Sequence, residues 1–138
     1  MDETSSPDAA LIEAASSVVN RIRSGEIEAG QVGAAIRSAS GTVYLGVCID
    51  APCGIGFCAE HAAIGAMVTA GETRVAAAVA VNEAGGVLAP CGRCREFLAL
   101  LHPENGTARI LLPGGRTATL AELLPDHWIE GKSQGGRI

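Results

Sequence analysis

Aromatic residues are scarce in this 138-residue chain, with two Phe, one Tyr and one Trp. Any core must therefore be aliphatic, and the 48% hydrophobic fraction is carried mostly by Ala, Val, Leu and Ile. Basic runs are missing as well. Ten Lys and Arg against fifteen Asp and Glu give a net charge of −5, without the basic footprint that a polynucleotide-binding surface needs. The expected partner is a small molecule and not a nucleic acid polymer. No apolar run reaches the roughly 20 residues of a transmembrane helix, so no membrane association is expected. The acidic, polar start Met1-Asp2-Glu3-Thr4-Ser5-Ser6 does not have the form of a signal peptide. The length suits one domain, expected over residues 1–131, with a disordered tail at 132–138. Internal repeats and low-complexity segments are absent.

What the chain does have is a concentration of metal-binding chemistry between Cys58 and Cys94. The stretch opens with Cys58-Ala59-Glu60-His61 and closes with Pro90-Cys91-Gly92-Arg93-Cys94-Arg95. Three thiolates are soft ligands that suit zinc. Three protein ligands with one open position form a catalytic zinc site, whereas structural sites fill all four. Glu60, two residues after Cys58, is placed to move protons to and from a water in the open position. The order Cys-x-Glu followed by Pro-Cys-x-x-Cys matches the zinc deaminase signature, in which the Glu is the general acid and base.

Two blander readings stand beside it. Cys91 and Cys94 alone could be a redox pair, or half of a structural zinc site completed by Cys53. Glu60 favours catalysis, because a structural site has no use for a carboxylate there. Five cysteines, three of them apparent ligands, fit a reducing compartment, and a cytoplasmic location is expected.

Periodicity places these residues. Residues 7–23 read as a first helix, capped by Ser6 with Pro7 at its first position. Glu26 to Gly30 reads as a loop. Gln31–Arg37 and Thr42–Ile49 alternate as the strands of a hairpin. Asp50 to Phe57, with Pro52, Gly54 and Gly56, reads as a loop leading into the first ligand helix, Cys58–Ala70. Arg74–Asn82 is an unbroken Val/Ala run expected to be buried on both faces. Cys91–Leu101 reads as the second ligand helix, with His102 at its end. Ala108–Leu112 reads as a strand and Thr119–Leu124 as a short helix. Both ligand sets fall in first helical turns, where free N–H groups and the positive dipole end favour thiolate. Three thiolates and Zn²⁺ carry a net charge of −1. Arg95 and His61 are the candidates to offset it. The order of elements predicts a mixed sheet of about five strands flanked by helices, with the site at the helix N-termini.

On the two zinc motifs, Val32-Gly33-Ala34-Ala35 and Glu122-Leu123-Leu124-Pro125, the chain resembles the small cytidine deaminases. Within them it is most similar to the blasticidin S deaminase branch, over about residues 10–131. The resemblance implies a three-layer αβα fold, one zinc per subunit on Cys58, Cys91 and Cys94, and hydrolytic loss of ammonia from a cytosine-type nucleoside or analogue. It also implies a homotetramer whose active sites are completed by neighbouring subunits. The small residues Ala62, Ala63, Gly65 and Ala66 are compatible with close helix packing in such an assembly. By the same resemblance, backbone groups at Ala59 and Pro90 contact the base and the leaving ammonia, and Trp128 is the aromatic that follows Leu-Leu-Pro. The family's ribose-holding Asn-x-Glu is replaced by Cys48-Ile49-Asp50. Its Phe before the Val-Gly-Ala-Ala run is Gly30, and the Arg that commonly follows Cys-Ala-Glu is His61. The chemistry is intact while the ribose grip is altered. A free base or another amino-heterocycle is therefore an alternative substrate, and a non-catalytic zinc-binding sensor a further one.

Overall fold

The run Val75-Ala-Ala-Ala-Val-Ala-Val81 has no polar face, so it can be stable only with protein on both sides. It forms the central strand of the computed structural model, which describes residues 6–130. Seven strands make one sheet: β1 (Ile22–Ser24), β2 (Ile27–Ser38), β3 (Val43–Asp50), β4 (Val75–Val81), β5 (Val87–Leu88), β6 (Arg109–Leu111) and β7 (Thr117–Thr119). Three helices cover it: α1 (Pro7–Ser17), α2 (Ala59–Thr69) and α3 (Gly92–Leu101). β2 is antiparallel to β1, β3 and β4, and β4 is parallel to β6.

Alternation along the strands builds two cores. Ala34 and Ile36 of β2, with Ala78 and Ala80 of β4, pack with Ile64 and Met67 of α2 and Leu98 of α3. The residues between them, Ala35, Ala77, Val79 and Val81, pack with Leu11 and Ala15 of α1. The result is the expected αβα sandwich. Small residues in the sheet let the helices approach closely. Gly46 of β3 marks the tightest approach to α2, since a Cβ there would lie 2.4 Å from the Ala63 amide nitrogen.

Several expectations need correction. The first helix stops at Ser17 and not at residue 23. Its start is as expected, with the Ser6 hydroxyl accepting from the Ala9 N–H at 3.0 Å. β-branched Val18 and Val19 disfavour continuation, and Ile22 is half exposed in β1, opposite Ala29. Most of the expected loop at 26–30 is therefore strand, because Gly25 turns the chain at φ +52° and lets β1 fold back on β2. Thr119 ends β7, so the expected helix at 119–124 reduces to one 3₁₀ turn, Ala121–Leu123. The sheet has seven strands instead of about five because β1, β5 and β7 are only two or three residues long, too short to show a period. The tail at 132–138 lies outside the described residues.

A buried Asn went unremarked in the sequence. Asn105 is fully enclosed. Its side chain accepts from the Val75 N–H at 2.8 Å and donates to the carbonyls of Thr73 and Leu98 at 3.0 and 2.9 Å. It thereby ties the start of β4 to α3.

Candidate active site

β3 ends at Asp50, and the chain then turns through residues 51–57. A two-way backbone bridge between Ile49 and Phe57, with N–H···O distances of 3.0 and 2.9 Å, closes that loop. The closure delivers Cys58 to the N-cap of α2. Pro90 does the same for Cys91 at the N-cap of α3, and Cys94 follows in that helix's first turn. The three sulfurs lie within 4.8 Å of one another. Cys58 and Cys91 are 3.5 Å apart, and Cys91 and Cys94 3.4 Å. A tetrahedral zinc with Zn–S bonds of about 2.3 Å needs sulfurs about 3.8 Å apart, so these two separations fit the ion with shifts of a few tenths of an ångström, and the third, no longer than 4.8 Å, lies within about 1 Å of it. Among the described residues no fourth ligand joins them. Cys53, the candidate for a closed structural site, stands apart and exposed in the loop.

Electrostatics in the cluster are uneven. Burial, followed by the hydrogen bond to Cys91, pushes the Cys58 thiol up. Burial, followed by the charge of Glu60, pushes Cys94 up strongly. For Cys91 burial also pushes upward, but hydrogen bonds from Cys94 and Cys58 and from the helix backbone outweigh it, and its pKa is lowered. Helix N-termini thus favour the thiolate at one position of three. The others need a metal to displace their protons.

Glu60, in the first turn of α2, is buried at 6% exposure. It faces a cavity of about 580 Å³ that also takes in Cys58, Cys91 and Ala59. On its other side is a small recess walled by Pro90, Leu88 and Leu98. Cys48 and Asp50 line the same cavity from the end of β3. The structure thus brings Cys48, Asp50, Cys58, Ala59, Glu60 and Cys91 together around one space, with Cys94 behind Cys91 and Pro90 behind Glu60.

Other expected site residues lie elsewhere. Arg95 donates to the Pro90 carbonyl at 2.8 Å and to the Leu123 carbonyl at 3.3 Å, so it braces the backbone beside the ligands. Among the described residues the cation that lines the cavity is Arg93, two residues earlier and missed from the sequence. His61 meets the Phe97 ring edge-on at 5.1 Å. Its Nε2 is buried without a hydrogen-bond partner among the described residues. Burial and the Arg93 charge hold its pKa below the ordinary 6.5, so at neutral pH it offers no positive charge to the thiolates. Trp128 does not line the cavity in this chain. Its indole N–H donates to Glu96 of α3 at 2.6 Å, and His127 bonds the same carboxylate at 2.6 Å.

Gln31 was also missed. It lines the cavity from β2, with its carboxamide between the Cys48 thiol at 3.2 Å and the Asp50 carboxylate at 3.1 Å. The only sequence signal was the neighbouring Gly30, whose φ of +84° interrupts the strand.

The family model described as "Cytidine and deoxycytidylate deaminase zinc-binding region" matches residues 5–107. A cytidine deaminase of Mycobacterium tuberculosis is 37% identical over 97 residues, covering 69% of this chain and 70% of that protein. A blasticidin-S deaminase of Bacillus cereus is 33% identical over 109 residues, covering 72% and 76%. The crystal structure of cytidine deaminase from Mycobacterium leprae superposes with a TM-score of 0.75 at 29% identity, covering 88% of this chain and 99% of that one. With a three-thiolate zinc site, a buried Glu beside it and these likenesses together, the chain belongs to the cytidine and deoxycytidylate deaminase family of zinc-dependent hydrolytic deaminases.

Proposed function

We propose that the protein removes ammonia hydrolytically from a cytosine-type nucleoside or a close analogue, with Glu60 as the proton carrier. The observation that supports this most is a buried carboxylate and a three-thiolate corner opening on one cavity. At about 580 Å³ that cavity is within the usual range for small-molecule sites. Zinc held by Cys58, Cys91 and Cys94 supplies a Lewis acid that makes water a usable nucleophile near neutral pH. Glu60 takes a proton from the attacking water and gives it to the ring nitrogen. It then carries the second proton to the amine, which leaves as ammonia while the ring carbon becomes a carbonyl. The backbone at Ala59 and Pro90 orients the amino group during these transfers, and Arg95 fixes the Pro90 carbonyl for that purpose.

A second reading keeps the reaction and changes the substrate to a free base or another amino-heterocycle. Cys48 and Gly30, standing where the resemblance implies Asn and Phe, favour it.

The assembly belongs to the same proposal. Ile55 is 72% exposed and Leu100 49%. Ala62 and Gly65 of α2 lie beside Ile55 along a shallow depression that includes His61. A homotetramer burying this face would cover that apolar surface. Five free cysteines suit a reducing, cytoplasmic setting.

The test is ammonia release by the zinc-loaded protein across cytidine, deoxycytidine, blasticidin S, cytosine and guanine, together with two variants. Glu60→Gln should keep zinc and lose turnover by roughly 10²-fold or more, while Cys91→Ala should lose zinc. Retained deamination in Glu60→Gln would remove Glu60 from its role.

A further inference from the structure

We propose that Gln31 is a specificity-determining residue of this site, its carboxamide reading a hydroxyl-bearing substituent on the heterocycle. The inference rests on the deaminase reading and narrows its substrate class from any amino-heterocycle to one carrying a sugar-like group.

The backbone first puts Gln31 where it can act. β2 and β3 pair at Ala29 with Ile49 and again at Gly33 with Val47. Gly30, Gln31 and Val32 therefore lie opposite Cys48 alone, a bulge that re-aims the side chains it contains. Gly30 makes the bulge possible. Its φ is +84°, and a Cβ there would sit 2.0 Å from the Asn20 carbonyl oxygen. No other residue type fits, so the bulge, and with it the placement of Gln31, is built into the strand.

The chemistry of the neighbours then fixes which way the carboxamide faces. A carboxylate only accepts hydrogen bonds, so the Gln31 amide nitrogen must face Asp50, as it does at 3.1 Å. The carbonyl oxygen then faces Cys48, whose thiol donates to it at 3.2 Å. A thiol is a weak partner for a ligand, and Cys48 is 92% buried. Its part is to hold Gln31. The carboxamide has a second N–H, and the Asp50 carboxylate has further lone pairs. Both residues line the cavity that contains Glu60, Cys58 and Cys91.

A donor and an acceptor held side by side match a hydroxyl group, which both accepts and donates, and a pair of neighbouring hydroxyls matches them better still. A bare heterocycle would strip water from both groups without replacing its hydrogen bonds, and sites of this kind reject ligands that lack the group they were built to bond.

The experiment compares matched pairs with and without the hydroxylated substituent: cytidine and 1-methylcytosine, adenosine and 9-methyladenine, guanosine and 9-methylguanine. Binding to the zinc-loaded protein is measured by equilibrium dialysis, and kcat and KM by ammonia release. Wild type should prefer the hydroxylated member of at least one pair. In Gln31→Ala that preference should fall by at least about tenfold, the loss of one good hydrogen bond, and the change should lie in KM and binding more than in kcat. Cys48→Ser, which still donates to the carboxamide, should keep the preference, while Cys48→Ala should lose part of it.

Equal loss on both members of a pair, no loss, a wild-type preference for the bare heterocycle, or binding of neither member would each overturn the proposal. Gln31-dependent binding of the hydroxylated ligand without ammonia release would instead overturn the deaminase reading and leave the role of Gln31 standing. Ammonia release without Gln31 dependence would do the reverse.

Discussion

The thiols of Cys58 and Cys94 are pushed up by burial and by neighbouring negative groups, so metal loading must displace their protons. Zinc affinity should therefore fall as the pH falls, because protons compete for the same sulfurs. Chelator competition between pH 8 and pH 6 should show at least about two protons released per zinc bound; an affinity flat across that range would mean the thiolates are preformed. Arg95 gives a second prediction at this scale. Its bonds to the Pro90 and Leu123 carbonyls hold the backbone beside Cys91, and losing one such charged bond costs about 1.5–3 kcal/mol. Arg95→Ala should lower kcat/KM by roughly tenfold while zinc content and fold persist; unchanged turnover would sink that role. Cys58, Glu60, Cys91 and Cys94 were legible in the sequence because ligand spacing and helix starts fix each other. Gln31 and Arg93 were not. Gln31 reaches the cavity only through a bulge, whose register depends on the partner strand. Arg93 and Arg95 differ by two positions at a helix start, and packing alone decides which one lines the cavity.

At the scale of elements, long periodic segments were legible and short ones were not. The doubly buried β4 was evident from its composition alone, since Val and Ala without a polar face leave no other choice. The end of α1 was misjudged because Val18, Val19 and Ile22 continue the apolar period past the point where the chain turns into a hairpin. That hairpin is stabilised across the chain, by the Asn20 N–H donating to the Gly30 carbonyl at 2.9 Å, and no local pattern announces it. Asn105 tests how the elements are joined. It bonds three backbone groups from an enclosed position. Replacing it with Ala leaves those groups buried without partners, each at a cost of about 1–3 kcal/mol. Asn105→Ala should therefore destabilise the protein by about 3 kcal/mol or more in chemical denaturation. A loss below about 1 kcal/mol would show that water satisfies these groups instead.

For the molecule as a whole, one sheet with helices on both faces positions two helix N-termini against the end of β3, and the site exists only where those three elements meet. Gly46 illustrates the dependence. It lets α2 lie against β3, and α2 carries Glu60. The fold class followed from the order of helices and strands. What everything else depends on is a metal corner with three sulfurs and one place left for water. X-ray absorption at the zinc edge of the loaded protein reads that directly. The expected result is three sulfurs at about 2.3 Å and one oxygen at about 2.0 Å. A fourth sulfur or an imidazole nitrogen in place of the oxygen would contradict it.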